Sequence, residues 1–266
     1  MNTIIKLTDE KYHSSEGLSN SFLIRFDQSP AHSFTKFTET EGMKTGTLFH
    51  KFILEPQVFE KDYVIAPDTV SKDKRTASYK EYAKTQDKEI LFQDDIANLK
   101  KVKKNIYDYL FEGIKLENYI NESHKELSLF WILFIKKQEV QCKAKLDLIY
   151  IKNDMAIIFD LKKVQNCLEF SKSVINYKYY RQAAFYKTAL EILHPELKSV
   201  RFIFITVEEQ TPFGVLTYEL DDEFLFTGEK ESYQSIVNYL SWDGNKEKIY
   251  DNKVVVLQKP EWLKSA

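Results

Sequence analysis

Apolar residues recur at helical spacing, about every three or four positions, through the first part of the chain. Ser19 supplies an N-cap for the first predicted helix, and Pro30 ends that helix. Residues 68–86 are polar and basic, so we expect an exposed segment there with one short helix. The spacing predicts helices within residues 14–30, over residues 42–54, around residues 78–84 and through residues 89–116.

Runs with strand character follow, separated by short polar connections at residues 136–138 and 152–154. No linker-like break interrupts the chain. We therefore expect one domain over residues 1–266, with an α/β fold in which helices flank a central mixed β-sheet. The predicted elements are a three-stranded meander (126–135, 140–150, 155–161), a helix (177–193), two strands (200–207, 214–219), a helix (222–240) and a β-rich patch (253–257).

Composition narrows the classes of function. Only 7 of the 266 residues are glycine, which argues against Gly-rich loops that cradle phosphates. Cys142 and Cys167 are the only cysteines, too few for a disulfide framework or a zinc site. No segment approaches the roughly 20 apolar residues of a membrane-spanning helix, and the first residues lack the apolar core of a signal peptide. We expect a soluble cytoplasmic protein without membrane association.

Two aspartates and a lysine form the sharpest local pattern. Asp160 and Lys162 lie two apart at the end of a predicted strand, so both side chains leave the same face. Asp147 lies near the end of the preceding strand, within cross-strand reach of Asp160. Two converging carboxylates bind a hard cation such as Mg²⁺, and a nearby lysine can orient or deprotonate the water that attacks a phosphodiester. An Asp-x-Lys sequence alone is more often a surface ion pair.

Basic residues bear on the question of a DNA partner. The net charge of −2 neither requires nor excludes nucleic acid, so a DNA site would have to be a local basic groove. Arginine is scarce, and a guanidinium group pairs bidentately with phosphate oxygens. Arg75 and Arg181 are therefore candidate phosphate contacts, whereas Arg201 precedes a buried strand and is assigned a structural role.

The wider sequence resembles the PD-(D/E)xK nuclease superfamily, whose metal site combines an aspartate with a later acidic-x-Lys triplet. The motif reads LD at residues 146–147 and DLK at residues 160–162, with leucine where proline is usual. Four further segments are similar to RecE-like exonucleases of the exodeoxyribonuclease VIII type. They are residues 12–32, GTLFHKFILEP at 46–56, KRT at 74–76 and NYKYYRQAAFY at 176–186. The resemblance covers residues 12–207.

The resemblance implies a metal site and its chemistry. Asp147 and Asp160 would ligate the metal, with the Leu161 carbonyl as a possible extra ligand. His50 would complete the site, and Glu126 is either a further ligand or a solvated edge residue. Lys162 would position or activate the attacking water and stabilise charge on the phosphoryl oxygens.

The resemblance also implies a set of substrate contacts. Gln182 and Tyr186 are four apart, so they share one helix face. In the nucleases that this chain resembles, the corresponding residues help to hold the substrate strand; an ordinary amphipathic helix is the alternative. Lys74, Arg75 and Arg181 would contribute phosphate contacts.

The implied activity is Mg²⁺-dependent 5′→3′ hydrolysis of linear double-stranded DNA from its ends, leaving 3′ single strands, with Mn²⁺ as a substitute metal. Such enzymes commonly form ring-like homo-oligomers and work beside a single-strand annealing protein of RecT type, in phage or prophage recombination. Two alternatives remain open. One is another nuclease of this restriction-endonuclease-like fold, either an endonuclease or an RNA-directed enzyme. The other is a non-catalytic DNA-binding module, which the complete Asp147, Asp160 and Lys162 set argues against.

Overall fold

A computed structural model describes residues 2–36, 38–250 and 254–259 of the chain. None of the helices in these ranges is long and apolar enough to cross a bilayer. The helices are α1 (Asp9–Ser14), α2 (Asn20–Gln28), α3 (Pro30–Phe34), α4 (Glu41–Leu54), α5 (Pro56–Asp62), α6 (Ala77–Lys84), α7 (Gln93–Asp108), α8 (Leu116–Glu122), α9 (Phe170–Asn176), α10 (Tyr179–Leu193) and α11 (Asp222–Leu240), and a 3₁₀ helix spans Cys167–Glu169.

The strands belong to one large sheet and two small ones. Six strands form the large sheet, in the order β1-β6-β7-β8-β9-β10. The strands are β1 (Thr3–Ile5), β2 (Tyr63–Ile65), β3 (Glu89–Leu91), β4 (Leu110–Phe111), β5 (Ile114–Lys115), β6 (His124–Ile135), β7 (Gln138–Lys152), β8 (Met155–Val164), β9 (Ser199–Glu208) and β10 (Val215–Glu219).

The large sheet contains both antiparallel and parallel pairs. β6, β7 and β8 form the predicted antiparallel meander, with Leu127 opposite Leu146 and Leu148 opposite Phe159. β9 pairs parallel with β8, so the chain between them must cross over one face of the sheet. That crossover contains α9 and α10. The α/β class, with helices flanking a central mixed sheet, is confirmed.

Each face of the large sheet carries a hydrophobic core. Trp131 of β6 packs in one core with Phe185 of α10. Phe159 of β8 belongs to the other core, together with Ile53 of α4 and Ile106 of α7. Helices α4 and α10 therefore lie on opposite faces of the sheet, and each can bring a side chain to the end of β8.

The side-chain alternation of β6 and β7 slips by one residue at the same level of the sheet. Leu146 and Ile149 are three apart in sequence, yet they belong to the same core. Leu127 and His124, also three apart, line one cavity beside that core. In an unbroken strand, residues an odd number apart lie on opposite faces. The slip therefore falls between these residues on both strands.

Glu126 and Asp147 lie at this slip. The ladder between β6 and β7 pairs the residues on either side of them, and Glu126 has a left-handed φ of 55°. A left-handed backbone is unfavourable for a residue with a β-carbon, and such conformations are concentrated at functional sites. The distortion turns both carboxylates toward one cleft.

The N-terminal segment is fastened to β7 by a buried lysine. The Lys143 ammonium group donates hydrogen bonds to the carbonyls of Tyr12, His13 and Ser15 at 2.9, 3.2 and 2.6 Å. These carbonyls lie at the end of α1, where helix carbonyls run out of regular helical partners; the Tyr12 carbonyl also accepts the Ser15 N–H at 3.3 Å. The Leu18 N–H donates to the Gln141 carbonyl at 2.9 Å and continues the attachment. Helix α1 is thus held beside the first half of β7.

Most of the predicted elements are present with small changes at their ends. Ser19 caps α2 by accepting the Phe22 N–H at 3.2 Å. The continuous helix over residues 89–116 was wrong, since this stretch contains β3, α7, β4 and β5. Asp95 accepts the Phe92 N–H at 2.8 Å and starts α7 there, and Gly113, with φ of 82°, forms the turn between β4 and β5.

The β-rich patch at residues 253–257 was also wrong where it can be compared. Lys253 lies outside the described residues, and residues 254–257 are irregular with exposed side chains. A strand needs a paired neighbour, and the large sheet described here ends at β1 and β10. High β-propensity alone did not produce a strand.

Gly228 of α11 is a test of the contact between α10 and α11. A methyl group there would lie 2.4 Å from the Tyr180 carbonyl oxygen and 2.9 Å from Ala184 Cβ. We expect Gly228→Ala to lower the free energy of unfolding by about 1–3 kcal/mol, because the helices must separate. Gly42→Ala in α4 is the control, since its nearest neighbour is 3.9 Å away; it should be neutral or stabilising by up to about 1 kcal/mol. Urea unfolding measures both, and equal effects would contradict the close packing.

Candidate active site

Three side chains from different elements converge at the slip in the sheet. His50 of α4, Glu126 of β6 and Asp147 of β7 each offer one atom, and these atoms lie within 4.8 Å of one another. They line a cleft of about 430 Å³ with Lys145 and Lys162. Two carboxylates and an imidazole at this spacing can hold a metal ion.

The backbone of Leu161 orders this group. Its N–H donates to Asp147 Oδ2 at 2.8 Å, and its carbonyl accepts from His50 Nε2 at 3.0 Å. A carbonyl only accepts, so Nε2 carries the proton and the neutral ring leaves a lone pair on Nδ1. That Nδ1 lies 3.5 Å from Asp147 Oδ2. The two facing lone pairs are an arrangement that a cation would stabilise.

Asp160 and Lys162 lie beside the three-residue group. The Lys162 ammonium nitrogen is 2.6 Å from Asp160 Oδ2, and the Gln182 amide donates to Asp160 Oδ1 at 2.7 Å. Lys162 also lies over the Tyr179 ring, 4.6 Å from its centroid. Gln182 and Tyr179 belong to α10, so the crossover helix completes this half of the site. The sequence predicted Asp160 as a metal ligand; here both of its oxygens contact protein groups.

Burial and like charge dominate the electrostatics of the cluster. Burial raises the pKa of Asp147 to about 8, and the neighbouring Asp160 carboxylate adds to the shift. Burial also raises the pKa of Glu126 to about 7, with a further contribution from Asp147. Burial lowers the pKa of His50, which keeps the imidazole neutral and able to ligate. The site therefore holds carboxylates that need a counter-ion in order to ionise.

For Lys162, nearby negative charge outweighs the effect of burial on the pKa. Burial alone lowers the pKa of its ammonium group, but Asp160, Tyr179 and Asp147 outweigh that effect, and the pKa is raised. The side chain is therefore charged at neutral pH. A charged lysine can donate hydrogen bonds to an anionic substrate, whereas it cannot accept a proton.

Lys145 is a member of the site that the sequence reading missed. Its ammonium nitrogen is 3.0 Å from Glu126 Oε2 and also contacts Asp9 of α1. It partly offsets the charge of Glu126 and links the site to α1. The signal was present in the sequence, because Lys145 lies two residues before Asp147 on the same strand and shares its side.

The residues predicted to contact the substrate lie in two different places in the structure. Gln182 donates a hydrogen bond to Asp160 at 2.7 Å. Burial raises the pKa of Tyr186, which lies near enough to Asp160 and Asp147 for their charges to add to the shift. Lys74 and Arg75 are exposed ahead of α6, with Arg75 paired to Asp73 at 2.8 Å. Their contact with DNA stays a prediction.

The prediction that Arg181 contacts phosphate was wrong. Its side chain is fully buried between α10, α11 and α2. One guanidinium nitrogen lies 2.5 Å from Asp27 Oδ2, and another donates to Ser235 at 2.9 Å. An arginine with no exposed surface cannot reach a phosphate, so its role is to join these three helices.

The donor set fits a divalent cation. Glu126 and Asp147 offer oxygen atoms and His50 offers a nitrogen atom, whereas the predicted Leu161 carbonyl ligand accepts the His50 Nε2–H on the other side of the ring. Carboxylate and carbonyl oxygens suit Mg²⁺ and Mn²⁺. Burial, with added repulsion from a neighbouring carboxylate, raises the pKa of both Glu126 and Asp147, and a bound cation would favour their ionised forms.

A family match places this chain in the PD-(D/E)xK nuclease superfamily. The chain belongs to the family described as a PDDEXK-like domain of unknown function (DUF3799), whose model matches residues 19–250. This membership establishes the nuclease superfamily and does not extend to the RecE-like branch. No curated protein matches the sequence significantly.

A solved structure shows a similar fold. An exonuclease candidate from Eubacterium rectale aligns over 96% of both chains, with a TM-score of 0.62 and 16% sequence identity. At that identity the likeness shows the fold alone. A second structure, SSO0001, covers 74% of this chain and 88% of its own, with 17% identity and a TM-score of 0.32.

The raised carboxylate pKa values predict how stability depends on pH and metal. Without divalent cations, the folded protein binds more protons than the unfolded chain between about pH 5 and pH 8, so the free energy of unfolding should fall as pH rises through this range. A bound cation replaces those protons, so Mg²⁺ or Mn²⁺ should raise Tm more at about pH 8 than at about pH 6. Thermal unfolding at both pH values measures this.

Asp147→Asn is the control for that measurement. The amide removes one buried charge, so the variant should melt at a higher temperature than the wild type at about pH 8 without metal. It should also gain less from added cation. A metal response equal to that of the wild type, or one that does not change with pH, would contradict the assignment of this cluster.

Proposed function

We propose that this protein is a divalent-metal-dependent exodeoxyribonuclease that degrades linear double-stranded DNA from its ends. The observation that carries the proposal is the convergence of His50, Glu126 and Asp147 beside a charged Lys162 in a PD-(D/E)xK fold. This arrangement supplies both a cation site and a fixed ammonium group next to it. Phosphodiester hydrolysis needs positive charge at both the scissile phosphate and the attacking water.

Each residue of the site has a proposed task. His50, Glu126 and Asp147 would hold the cation, and Asp160 and the Leu161 carbonyl are proposed as further ligands that would first have to release their present protein contacts. A bound cation would polarise the phosphate and acidify a nearby water.

Lys162 would act on the charge that develops during the reaction. Its ammonium group would donate hydrogen bonds to the phosphoryl oxygens as negative charge grows on them. The raised pKa favours this role over that of a general base, because the group stays protonated. Gln182 and Asp160 would keep Lys162 aimed at the phosphate.

The finer features of the proposal rest on the resemblance to RecE-like exonucleases. These features are Mg²⁺ as the usual metal with Mn²⁺ as a substitute, 5′→3′ polarity and 3′ single-stranded products. They also include a ring-like homo-oligomer, a RecT-type annealing partner, and a role in phage or prophage recombination within the cytoplasm. The choice of an exonuclease over an endonuclease rests on the same resemblance, because the similar fold of the exonuclease candidate from Eubacterium rectale is shared by both kinds of nuclease. Tyr186, Lys74 and Arg75 are proposed to contact the DNA.

Lys162→Met tests the proposed chemistry. We expect single-turnover hydrolysis at saturating DNA to slow by about 100-fold or more, because one transition-state contact contributes roughly that much. DNA binding should change little. Lys163→Met is a matched control, because it is the next residue on the strand and both lysine side chains are 17% exposed. If Lys162→Met weakened binding without slowing the bound reaction, Lys162 would be only a phosphate contact.

The choice of substrate tests the exonuclease assignment. Linear plasmid should be degraded in Mg²⁺ while supercoiled closed circles of the same plasmid persist, because an enzyme that works from ends finds none on a circle. Phosphate contacts should make binding weaken with salt, through release of counterions. Agarose gels at two salt concentrations would show both effects. Equal cleavage of closed and linear forms would replace the exonuclease with an endonuclease of the same fold.

A further inference from the structure

Two tyrosines extend outward from Lys162. The Tyr179 ring lies 4.6 Å from the Lys162 ammonium nitrogen, and the Tyr177 ring lies 5.6 Å from Tyr179 at an interplanar angle of 34°. Tyr177 is 64% exposed, whereas Tyr179 is partly buried. A continuous aromatic surface thus leads from the proposed catalytic lysine to solvent.

The two tyrosines differ in how the core supports them. Tyr179 packs against Phe170 and Phe204, each at a ring separation of 5.9 Å. Core packing therefore explains Tyr179 fully. It does not explain Tyr177, because a largely exposed ring contributes little buried apolar area.

A strained residue separates the two tyrosines. Lys178 has a left-handed φ of 54° where α9 ends and α10 begins. Its ammonium group is tied to Glu231 on α11 at 2.9 Å. A left-handed conformation costs free energy for a lysine, and such residues mark sites where side chains must be held in a set direction. Here the turn brings the Tyr177 ring against Tyr179.

We propose that Tyr177 and Tyr179 form a stacking platform for an unpaired base of the strand whose phosphate lies at Lys162. This inference rests on the proposed nuclease function and names a binding site for one nucleotide of its substrate. Single-stranded nucleic acid is commonly held by aromatic rings beside positive charge. Every base has a flat face, so stacking suits an enzyme that degrades any sequence.

Stacking selects a base at an end, or one separated from the duplex, over a base inside it. A base within a duplex is covered on both faces by its neighbours, so only a terminal or separated base has a free face to offer. The platform lies beside the ammonium group that would contact the phosphate. The ligand is therefore a nucleotide at a frayed end, with its phosphate toward Lys162 and its base toward Tyr177.

The test measures binding of oligonucleotides that carry 2-aminopurine near one end, in Ca²⁺ in place of Mg²⁺. Stacking on an aromatic ring quenches this fluorescent base. Wild-type protein should quench it, and Tyr177→Ala should lose the quenching and raise the dissociation constant by between about 5-fold and 150-fold. Tyr177→Phe keeps the ring and should bind as the wild type does. Tyr233→Ala is the control, since Tyr233 is 52% exposed on α11.

A second oligonucleotide, with an abasic residue in place of 2-aminopurine, separates stacking from folding. Wild type and Tyr177→Ala should bind the abasic strand equally, because there is no base to stack. An equal loss on both strands, or no effect of Tyr177→Ala on either, would overturn the platform.

Failure of the nuclease function would have a different signature. Wild-type protein that quenches 2-aminopurine but leaves linear DNA intact in Mg²⁺ and Mn²⁺ would keep the platform and remove the proposed activity. Cleavage of linear DNA without quenching at any position near the end would keep the proposed activity and remove the platform.

Discussion

Burying several carboxylates within a few ångströms of one another is the constraint around which this protein is organised. Glu126, Asp147 and Asp160 lie at one level of the sheet, and desolvation together with nearby negative charge opposes the ionisation of Glu126 and Asp147. Neighbouring hydrogen-bond donors and ammonium groups offset part of that cost. The Leu161 N–H binds Asp147, Lys145 contacts Glu126, and Lys162 with Gln182 holds Asp160. The remaining deficit of positive charge is what a divalent cation would supply.

The backbone of β6 and β7 is also distorted to bring these carboxylates together. In regular strands, side chains alternate between the two faces of the sheet. The one-residue slip in this alternation, at the same level of β6 and β7, turns Glu126 and Asp147 toward one cleft. The left-handed backbone of Glu126 is the unfavourable conformation that this distortion requires. Helices α4 and α10 pack on opposite faces, so His50 and Gln182 reach the cluster from two sides. A site at the end of β8 can therefore draw on both layers of the fold.

The sequence was sufficient for features that depend on local pattern. The meander, the mixed sheet and the approach of Asp147 to Asp160 follow from strand period and short connections. The long helix over residues 89–116 was wrong because a helical apolar period persisted through β3 and the turn at Gly113. Arg181 looked like a phosphate contact because its partner, Asp27, is remote in sequence and only packing brings them together. Lys145 was overlooked because its importance lies in a contact with Glu126 on another strand.

The attachment of α1 bears on the order in which the protein assembles. The β6–β8 meander joins residues that are close in sequence, so its loops close at little entropic cost. Asp9 meets Lys145, and Tyr12 meets Lys143, only after far longer loops have closed. Contacts of that span form late in folding. His50 also reaches the cluster across such a span, so the cleft becomes complete only when most of the chain has been synthesised and packed. A growing chain on the ribosome would thus carry an unfinished and inactive site.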